Sequence, residues 1–182
     1  MVDGEGFRHV LYGAGCSHAC EGCHNPQTWD IEYSTWLSVQ EVFDQLDFNR
    51  KIPPCGVTFS GGDPMYQSKA FLELAKMVKS IPDKTVWCYT GYLFEDLIRD
   101  RDDKYALLEY VDVLVDGRYI QELRDLRLTY RGSSNQRIID VQESLKRSEV
   151  VIYHWWGCSC SSCKPKLNRR NDFYGNSTRY AR

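Results

Sequence analysis

The residues with the clearest chemical potential are three cysteines in the segment GAGCSHACEGCHNPQTWD, residues 13–30. Cys16, Cys20 and Cys23 have the spacing C-x3-C-x2-C and follow a predicted strand in a glycine-containing loop. A disulfide uses two cysteines and a closed structural zinc site usually uses four ligands, so three cysteines indicate a metal centre with one open coordination position. Thiolates suit iron–sulfur clusters as well as zinc, and the end of a strand is a typical place for an active site.

Two other interpretations of these cysteines remain open from the residues alone. They could form a zinc knuckle with His18 or His24 as the fourth ligand, or they could be thiols that cluster by chance. A zinc ribbon would need a second C-x2-C pair, which the C-terminal cysteines could supply (Cys158, Cys160 and Cys163). The spacing and the position after a strand favour a cluster held by three cysteines.

The bulk composition is typical of a globular protein with one domain. The chain has 182 residues, of which 42% are hydrophobic and 26% charged, and its net charge is −2. Its first ten residues lack the basic and apolar regions of a signal peptide, and no apolar run reaches the ~18 residues of a membrane span. We therefore expect a cytoplasmic protein, in which the eight cysteines serve metal binding or redox chemistry.

Short apolar runs alternate with helical patterns along most of the chain. Ser38 and Glu41 form a possible capping box at the start of one helix, and the apolar periodicity of residues 71–78 predicts a second. Shorter helices are predicted at residues 92–100 and 104–110. This alternation predicts a parallel β/α architecture, whose ligands bind beyond the carboxyl ends of the strands. The predicted strands are residues 9–13, 56–60, 85–90, 111–116 and 149–154.

A second candidate site lies in the segment VTFSGGDP, residues 57–64, where an apolar strand ends in two glycines and an aspartate. Gly61 and Gly62 allow a ligand to approach the backbone closely, and the Asp63 carboxylate could meet an ammonium group. The segment could equally be an ordinary strand-to-helix turn with Asp63 as a helix N-cap. Its position one β/α unit after the cysteines makes the ligand-binding interpretation more specific.

The combination of C-x3-C-x2-C with a strand that ends in GGD resembles the radical S-adenosylmethionine enzymes. The opening segment, VDGEGFRHVLYGAGCSHACEGCHNPQTWD, resembles the start of activating enzymes for glycyl-radical proteins. Four further segments resemble the activating proteins of anaerobic ribonucleotide reductases: TFSGGDP, WCYTGY, VDVLVDGRY and RGSSNQRIIDVQESL. The resemblance covers roughly residues 2–151.

This resemblance implies roles for individual residues. Cys16, Cys20 and Cys23 match the ligands of a [4Fe–4S] cluster, whose fourth iron is chelated by the amino and carboxylate groups of S-adenosylmethionine. Capping or loop contacts are the alternative for Thr90 and Asp116. The residues that match cofactor-binding positions are Gly22, Cys23, His24, Gly61, Gly62, Asp63, Thr90, Asp116 and Arg118.

The resemblance also implies an activity, a fold and partners. The reduced cluster would cleave S-adenosylmethionine, and the resulting radical would take hydrogen from a backbone glycine of an anaerobic ribonucleoside-triphosphate reductase. A low-potential donor such as flavodoxin would supply the electron. Residues 1–153 would form an incomplete, open parallel β/α barrel of the radical S-adenosylmethionine type, because eight β/α units need roughly 250 residues.

Functions of other classes stay open at this point. The chain could be another small radical S-adenosylmethionine enzyme, similar to 7-carboxy-7-deazaguanine synthases or to the activating enzymes of pyruvate formate-lyase. It could also be a zinc-binding interaction module without catalysis. Iron and sulfide analysis would separate the zinc module from the two enzyme classes.

The C-terminal segment, residues 154–182, is predicted to be a short tail appended to the α/β core. Its motif H-x3-C-x-C-x2-C contains four side chains that could bind zinc: His154, Cys158, Cys160 and Cys163. The tail is also basic, because residues 164–182 include six Lys or Arg and one acidic residue. We expect a solvated tail rather than one that binds nucleic acid.

Overall fold

The fold is built on a five-stranded sheet whose strands lie side by side in chain order. The computed structural model describes residues 3–32 and 35–154. The first four strands are parallel, and the fifth runs antiparallel to the fourth. The expected α/β class is therefore confirmed, with a sheet that is mostly parallel. The strands are β1 (Arg8–Gly13), β2 (Gly56–Gly61), β3 (Thr85–Tyr89), β4 (Val113–Asp116) and β5 (Arg137–Asp140).

Four of the helices overlap the segments in which the sequence predicted them, whereas α5 was not predicted. The capping box is confirmed, because the Ser38 hydroxyl accepts a hydrogen bond from the Glu41 N–H while the Glu41 carboxylate accepts one from the Ser38 N–H. No helix in the described ranges is long and apolar enough to cross a membrane. The α-helices are α1 (Val39–Gln45), α2 (Ser68–Lys79), α3 (Phe94–Arg99), α4 (Asp103–Leu108) and α5 (Val141–Arg147). Short 3-10 helices cover Pro26–Trp29, Pro64–Gln67 and Gln121–Leu123.

Each face of the sheet carries its own apolar cluster. On the face that the helices cover, Phe59, Cys88, Leu114 and Ile139 are register partners across four strands, and all are buried. The opposite face carries a smaller buried cluster (Trp87, Val113, Val115 and Ile138). Side chains alternate between the two faces of a strand, so these strands are apolar on both sides, as covered parallel sheets usually are.

Arg8 closes the second face at the amino ends of the strands. Its guanidinium donates hydrogen bonds to the hydroxyls of Thr58 and Thr85, each at 2.9 Å, and its central carbon lies 5.5 Å from the centroid of the Trp87 ring. The preceding segment packs on the same ring, because a Cβ at Gly4 would lie 2.9 Å from it. These contacts lie at the opposite end of the sheet from the predicted site.

The fifth strand is not where the sequence predicted it. We expected a strand at residues 149–154, but these residues contribute one isolated bridge, from Ile152 to Ile139. The fifth strand is instead β5, whose residues Ile138 and Ile139 are buried and pair with β4. A four-residue strand between a polar loop and a helix is too short to show an alternating pattern, whereas the longer apolar run at 149–154 resembles a strand.

An ion-pair network joins β4, β5 and α3. The Asp116 side chain is fully buried, and one of its oxygens accepts the Phe94 N–H at 2.9 Å. Arg137 donates from Nε to the other oxygen at 3.0 Å and also pairs with Glu95, at 2.7 Å. The carboxylates of Glu95 and Asp116 raise the pKa of Arg137, so it stays charged. Asp116 thereby connects two strands and the start of a helix.

Replacing Arg137 with Leu should lower the free energy of unfolding by about 3–5 kcal/mol, because the buried Asp116 carboxylate would lose its cationic partner. The matched control is Glu95→Ala, since the Glu95 side chain binds the same guanidinium but is 51% exposed. This control should lose less than about 1 kcal/mol. Urea unfolding of both variants measures the difference, and equal losses would contradict the argument from burial.

Candidate metal centre

The cysteine loop, residues 14–30, leaves the carboxyl end of β1 and closes on itself at its base. The Gly15 N–H donates to the carbonyl oxygen of Thr28 at 2.8 Å, and the Cys16 N–H donates to that of Trp29 at 3.0 Å. The 3-10 helix Pro26–Trp29 forms the returning arm. The loop thus presents its cysteines at the edge of the sheet where parallel α/β proteins bind ligands.

All three cysteines of the loop carry free, partly exposed thiols. Burial raises the pKa of Cys16, and the nearby carboxylate of Asp63 acts in the same direction. A thiol must lose its proton to bind a metal, so metal binding has to release a proton from Cys16. Among the described residues, no three Cys, His, Asp or Glu side chains converge closely enough to hold a single metal ion.

The turn between the second and third cysteines packs against the loop that follows β4. The Cys23 N–H donates to the Cys20 carbonyl oxygen at 3.2 Å, and Gly22 has φ +69°, a conformation that favours glycine. A Cβ at Gly22 would lie 2.1 Å from Oε1 of Gln121 and 3.4 Å from the Tyr119 ring. Glycine is therefore favoured here by its backbone conformation, and the absence of a Cβ leaves room for the Gln121 side chain.

The two glycines at the end of β2 lie against the cysteine loop. A Cβ at Gly61 would lie 2.5 Å from the carbonyl oxygen of Gly13, and one at Gly62 would lie 2.6 Å from that of Gly15. The Gly62 N–H also donates to the Gly13 carbonyl oxygen at 2.8 Å. The sequence predicts that a ligand approaches the backbone closely at these glycines. In the structure, the segment that approaches them is the backbone of Gly13 and Gly15.

Asp63 is buried at the meeting point of three strand ends. One carboxylate oxygen accepts the Met65 N–H at 2.9 Å, so the N-cap interpretation is confirmed. The other oxygen accepts from His18 Nε2 at 2.8 Å, from the Thr90 hydroxyl at 2.9 Å and from the Gly91 N–H at 2.9 Å. Asp63 thus joins the cysteine loop to the ends of β2 and β3.

The remaining predicted cofactor contacts are Thr90, His24, Asp116 and Arg118. Thr90 is buried and belongs to the Asp63 group, as described above. His24 is exposed, and its ring centroid lies 6.4 Å from that of Tyr119. The Asp116 carboxylate accepts hydrogen bonds from Arg137 and from the first residue of α3, and Arg118 is exposed. The structure therefore brings the cysteine loop, the GGD segment and Thr90 together, and the cofactor roles of these residues stay predictions.

Sequence reasoning missed the aromatic residues around His18. The rings of Tyr66 and Tyr92 lie edge-on to its imidazole, at centroid distances of 5.9 and 4.9 Å. Burial and a hydrogen bond with Tyr66 raise the pKa of Tyr92. The sequence alone indicates His18 only as a possible zinc ligand. Its position between two cysteines was a signal, but its partner Asp63 is 45 residues away in the chain.

Of the four residues in the predicted zinc site of the tail, one is among the described residues. His154 is described and exposed. Its predicted partners Cys158, Cys160 and Cys163 lie outside the described residues, as does the basic run at 164–182. Zinc binding by the tail stays a prediction.

Comparison with known proteins identifies relatives that match most of the chain. A family model, the 4Fe-4S single cluster domain, matches residues 2–139. A protein of Vibrio cholerae, named anaerobic ribonucleoside-triphosphate reductase-activating protein, is 43% identical over 144 residues, which is 76% of this chain and 90% of that protein. Proteins of the same name from phage T4 and Escherichia coli K12 are 38% and 34% identical, and the matches cover 86% and 90% of their lengths.

The family-model match extends over the cysteine loop, the GGD segment, the first four strands and all but the last residue of β5, rather than over one short motif. The relatives are matched over most of their own length, so the likeness is one between whole proteins. The motif-based resemblance to these activating proteins is confirmed. The chain belongs to the 4Fe-4S single cluster domain family and, within it, to the anaerobic ribonucleoside-triphosphate reductase-activating proteins.

Proposed function

We propose that this protein generates a glycyl radical on an anaerobic ribonucleoside-triphosphate reductase by reductive cleavage of S-adenosylmethionine. The observation that carries the proposal is the loop at the end of β1, which presents three free cysteines at the carboxyl ends of parallel strands. The printed names of the relatives supply the class of partner. A low-potential electron donor such as flavodoxin and a cytoplasmic location belong to the same proposal.

The ligand set fits an iron–sulfur cluster with one open iron. Thiolates suit such a cluster, in which each cysteine binds a different iron. The family model that matches the chain is that of a 4Fe-4S single cluster domain. Cys16, Cys20 and Cys23 would hold such a cluster and leave its fourth iron for the cofactor.

A [4Fe–4S] cluster held by Cys16, Cys20 and Cys23 would supply, when reduced, the electron for cleavage of the C5′–S bond of S-adenosylmethionine, and the 5′ carbon would accept a hydrogen atom from a glycine Cα of the reductase. The task of the protein chain is to position both molecules and to exclude water. Gly61–Asp63 and Thr90 lie beside the cysteine loop, where the cofactor would bind. For Asp63 to receive the cofactor's ammonium group, that group would have to reach Oδ1, which accepts the Met65 N–H, or replace one of the three donors on the other oxygen.

We further propose that the sheet curves into an open barrel. The strands follow chain order without a reversal, as in β/α barrels and unlike doubly wound sheets. In a flat sheet β1 and β4 would lie three strand spacings apart, about 14 Å. The close approach of Gly22 to Gln121 and Tyr119 brings the loops after these two strands together, which supports curvature. The gap between β1 and β5 would then admit the glycine-containing loop of the reductase.

Changing Cys16, Cys20 or Cys23 to Ala should abolish retention of the [4Fe–4S] cluster, because each thiolate would bind a separate iron. Iron and sulfide content after anaerobic reconstitution measures this loss. The control is Cys88→Ala, which removes a buried free thiol from the core of the sheet and should keep the cluster. Full iron content in any of the three loop variants would rule out the ligand assignment.

The reconstituted protein, mixed with the reductase, S-adenosylmethionine and a chemical reductant, should produce an organic radical on the reductase. At least one 5′-deoxyadenosine should form for each radical, since each hydrogen transfer consumes one cofactor. Electron paramagnetic resonance and chromatography measure the two products. The Cys20→Ala variant and a sample without S-adenosylmethionine serve as controls, and neither should give a radical. A radical of equal size in either control would overturn the proposed function.

A further inference from the structure

We propose that His18 is a positioning residue, whose hydrogen bond to Asp63 fixes the cysteine loop in the shape that receives the cluster. The proposal rests on the proposed function, because it assumes that Cys16, Cys20 and Cys23 are the ligands. It assigns to Asp63 a use beyond capping: its carboxylate anchors the loop. It also means that the loop is ordered by protein contacts before any iron binds.

The His18 side chain is buried although its loop neighbours Ser17 and Ala19 are exposed. Only 7% of its surface is accessible, and Nε2 lies 2.8 Å from a carboxylate oxygen of Asp63. The ring packs directly on the backbone at Gly91, where a Cβ would lie 2.4 Å from it. A buried imidazole with a charged acceptor and a close backbone contact is held in one orientation.

The Asp63 carboxylate is held in place by donors from outside the cysteine loop. It accepts the N–H groups of Met65 and Gly91 and the hydroxyl of Thr90, all at 2.9 Å. These donors belong to the chain segments that follow β2 and β3. The Asp63 N–H donates to the Gly15 carbonyl oxygen at the base of the loop, at 3.0 Å. His18 is the one partner of the carboxylate, among the described residues, that comes from the loop, and it attaches the part between the first two cysteines.

The loop has few other attachments between its first two cysteines. In the described part of the chain, the side chains of Ser17 and His18 reach residues outside the loop, and the Ser17 hydroxyl contacts the hydroxyl of the exposed Tyr66. An exposed contact between two hydroxyls contributes little, because water competes for both groups. The His18–Asp63 bond is charge-assisted and shielded from water, so it dominates the placement of this part of the loop.

The backbone beside His18 shows why an anchor is required. Ala19 has φ +49°, in the left-handed region that residues with a Cβ avoid. Such a conformation persists only where the surrounding contacts impose it. Ala19 stands immediately before Cys20, so its backbone conformation sets the direction in which that thiol leaves the loop. Without the His18 anchor, Ala19 is free to relax, and the separation of the first two thiols changes.

The test is amide hydrogen exchange of the full-length, iron-free protein, followed by mass spectrometry of peptides that contain residues 16–23. In these peptides the N–H groups of Cys16 and Cys23 are bonded to backbone carbonyls, so they report on the loop. In His18→Ala, these two amides should exchange about ten- to hundredfold faster than in the wild type, the effect expected for loss of one charge-assisted hydrogen bond. Peptides from β2 and β3 should keep their wild-type rates. Iron bound after reconstitution should fall to less than about half of the wild-type amount, since a disordered loop binds the cluster less tightly.

Two further variants separate anchoring from a general loss of structure. His18→Gln carries an amide N–H at a position similar to Nε2, so it should restore exchange to within about threefold of the wild type. Ser17→Ala removes the neighbouring exposed contact and should have an equally small effect. Wild-type exchange in His18→Ala, or no rescue by Gln, would refute the anchor. If the wild type itself binds no cluster, the proposed function fails, whereas the exchange data still decide whether His18 holds the loop.

Discussion

One buried carboxylate holds the functional end of this molecule together. Asp63 accepts hydrogen bonds from the loop after β1, from its own turn after β2 and from the end of β3, with two percent of its surface exposed. A buried carboxylate is stable only when donors surround it, and here each donor comes from a segment that must lie near the others. The requirement to satisfy one charge therefore determines the relative positions of three loops.

Close approach of backbones is the second condition for this arrangement. Gly61 and Gly62 let the end of β2 lie against Gly13 and Gly15, and Gly22 lets the loop after β4 lie against the cysteine turn. Side chains at these positions would separate the segments by the width of a methyl group or more. The glycines of the GGD segment thus act first within the protein, and their close packing creates the surface on which a cofactor would lie.

Features that lie within a few neighbouring residues could be predicted from the sequence, whereas contacts between residues far apart in the chain could not. The capping box at Ser38 and the cysteine spacing are signals contained in a few neighbouring residues, and both led to correct or supported interpretations. The pairing of His18 with Asp63 joins residues far apart in the chain and has no periodicity, so only the fold reveals it. The same holds for the pairing of Asp116 with Arg137, while the cofactor contact of Asp116 stays a prediction. β5 was missed because four residues carry too little pattern.

The contacts of Arg8 and Gly4 have a consequence for access to the second sheet face. Among the described residues, the amino ends of the strands on this face are occupied by the protein's own side chains and backbone. The cofactor and the reductase would therefore have to approach from the same side, at the carboxyl ends of the strands.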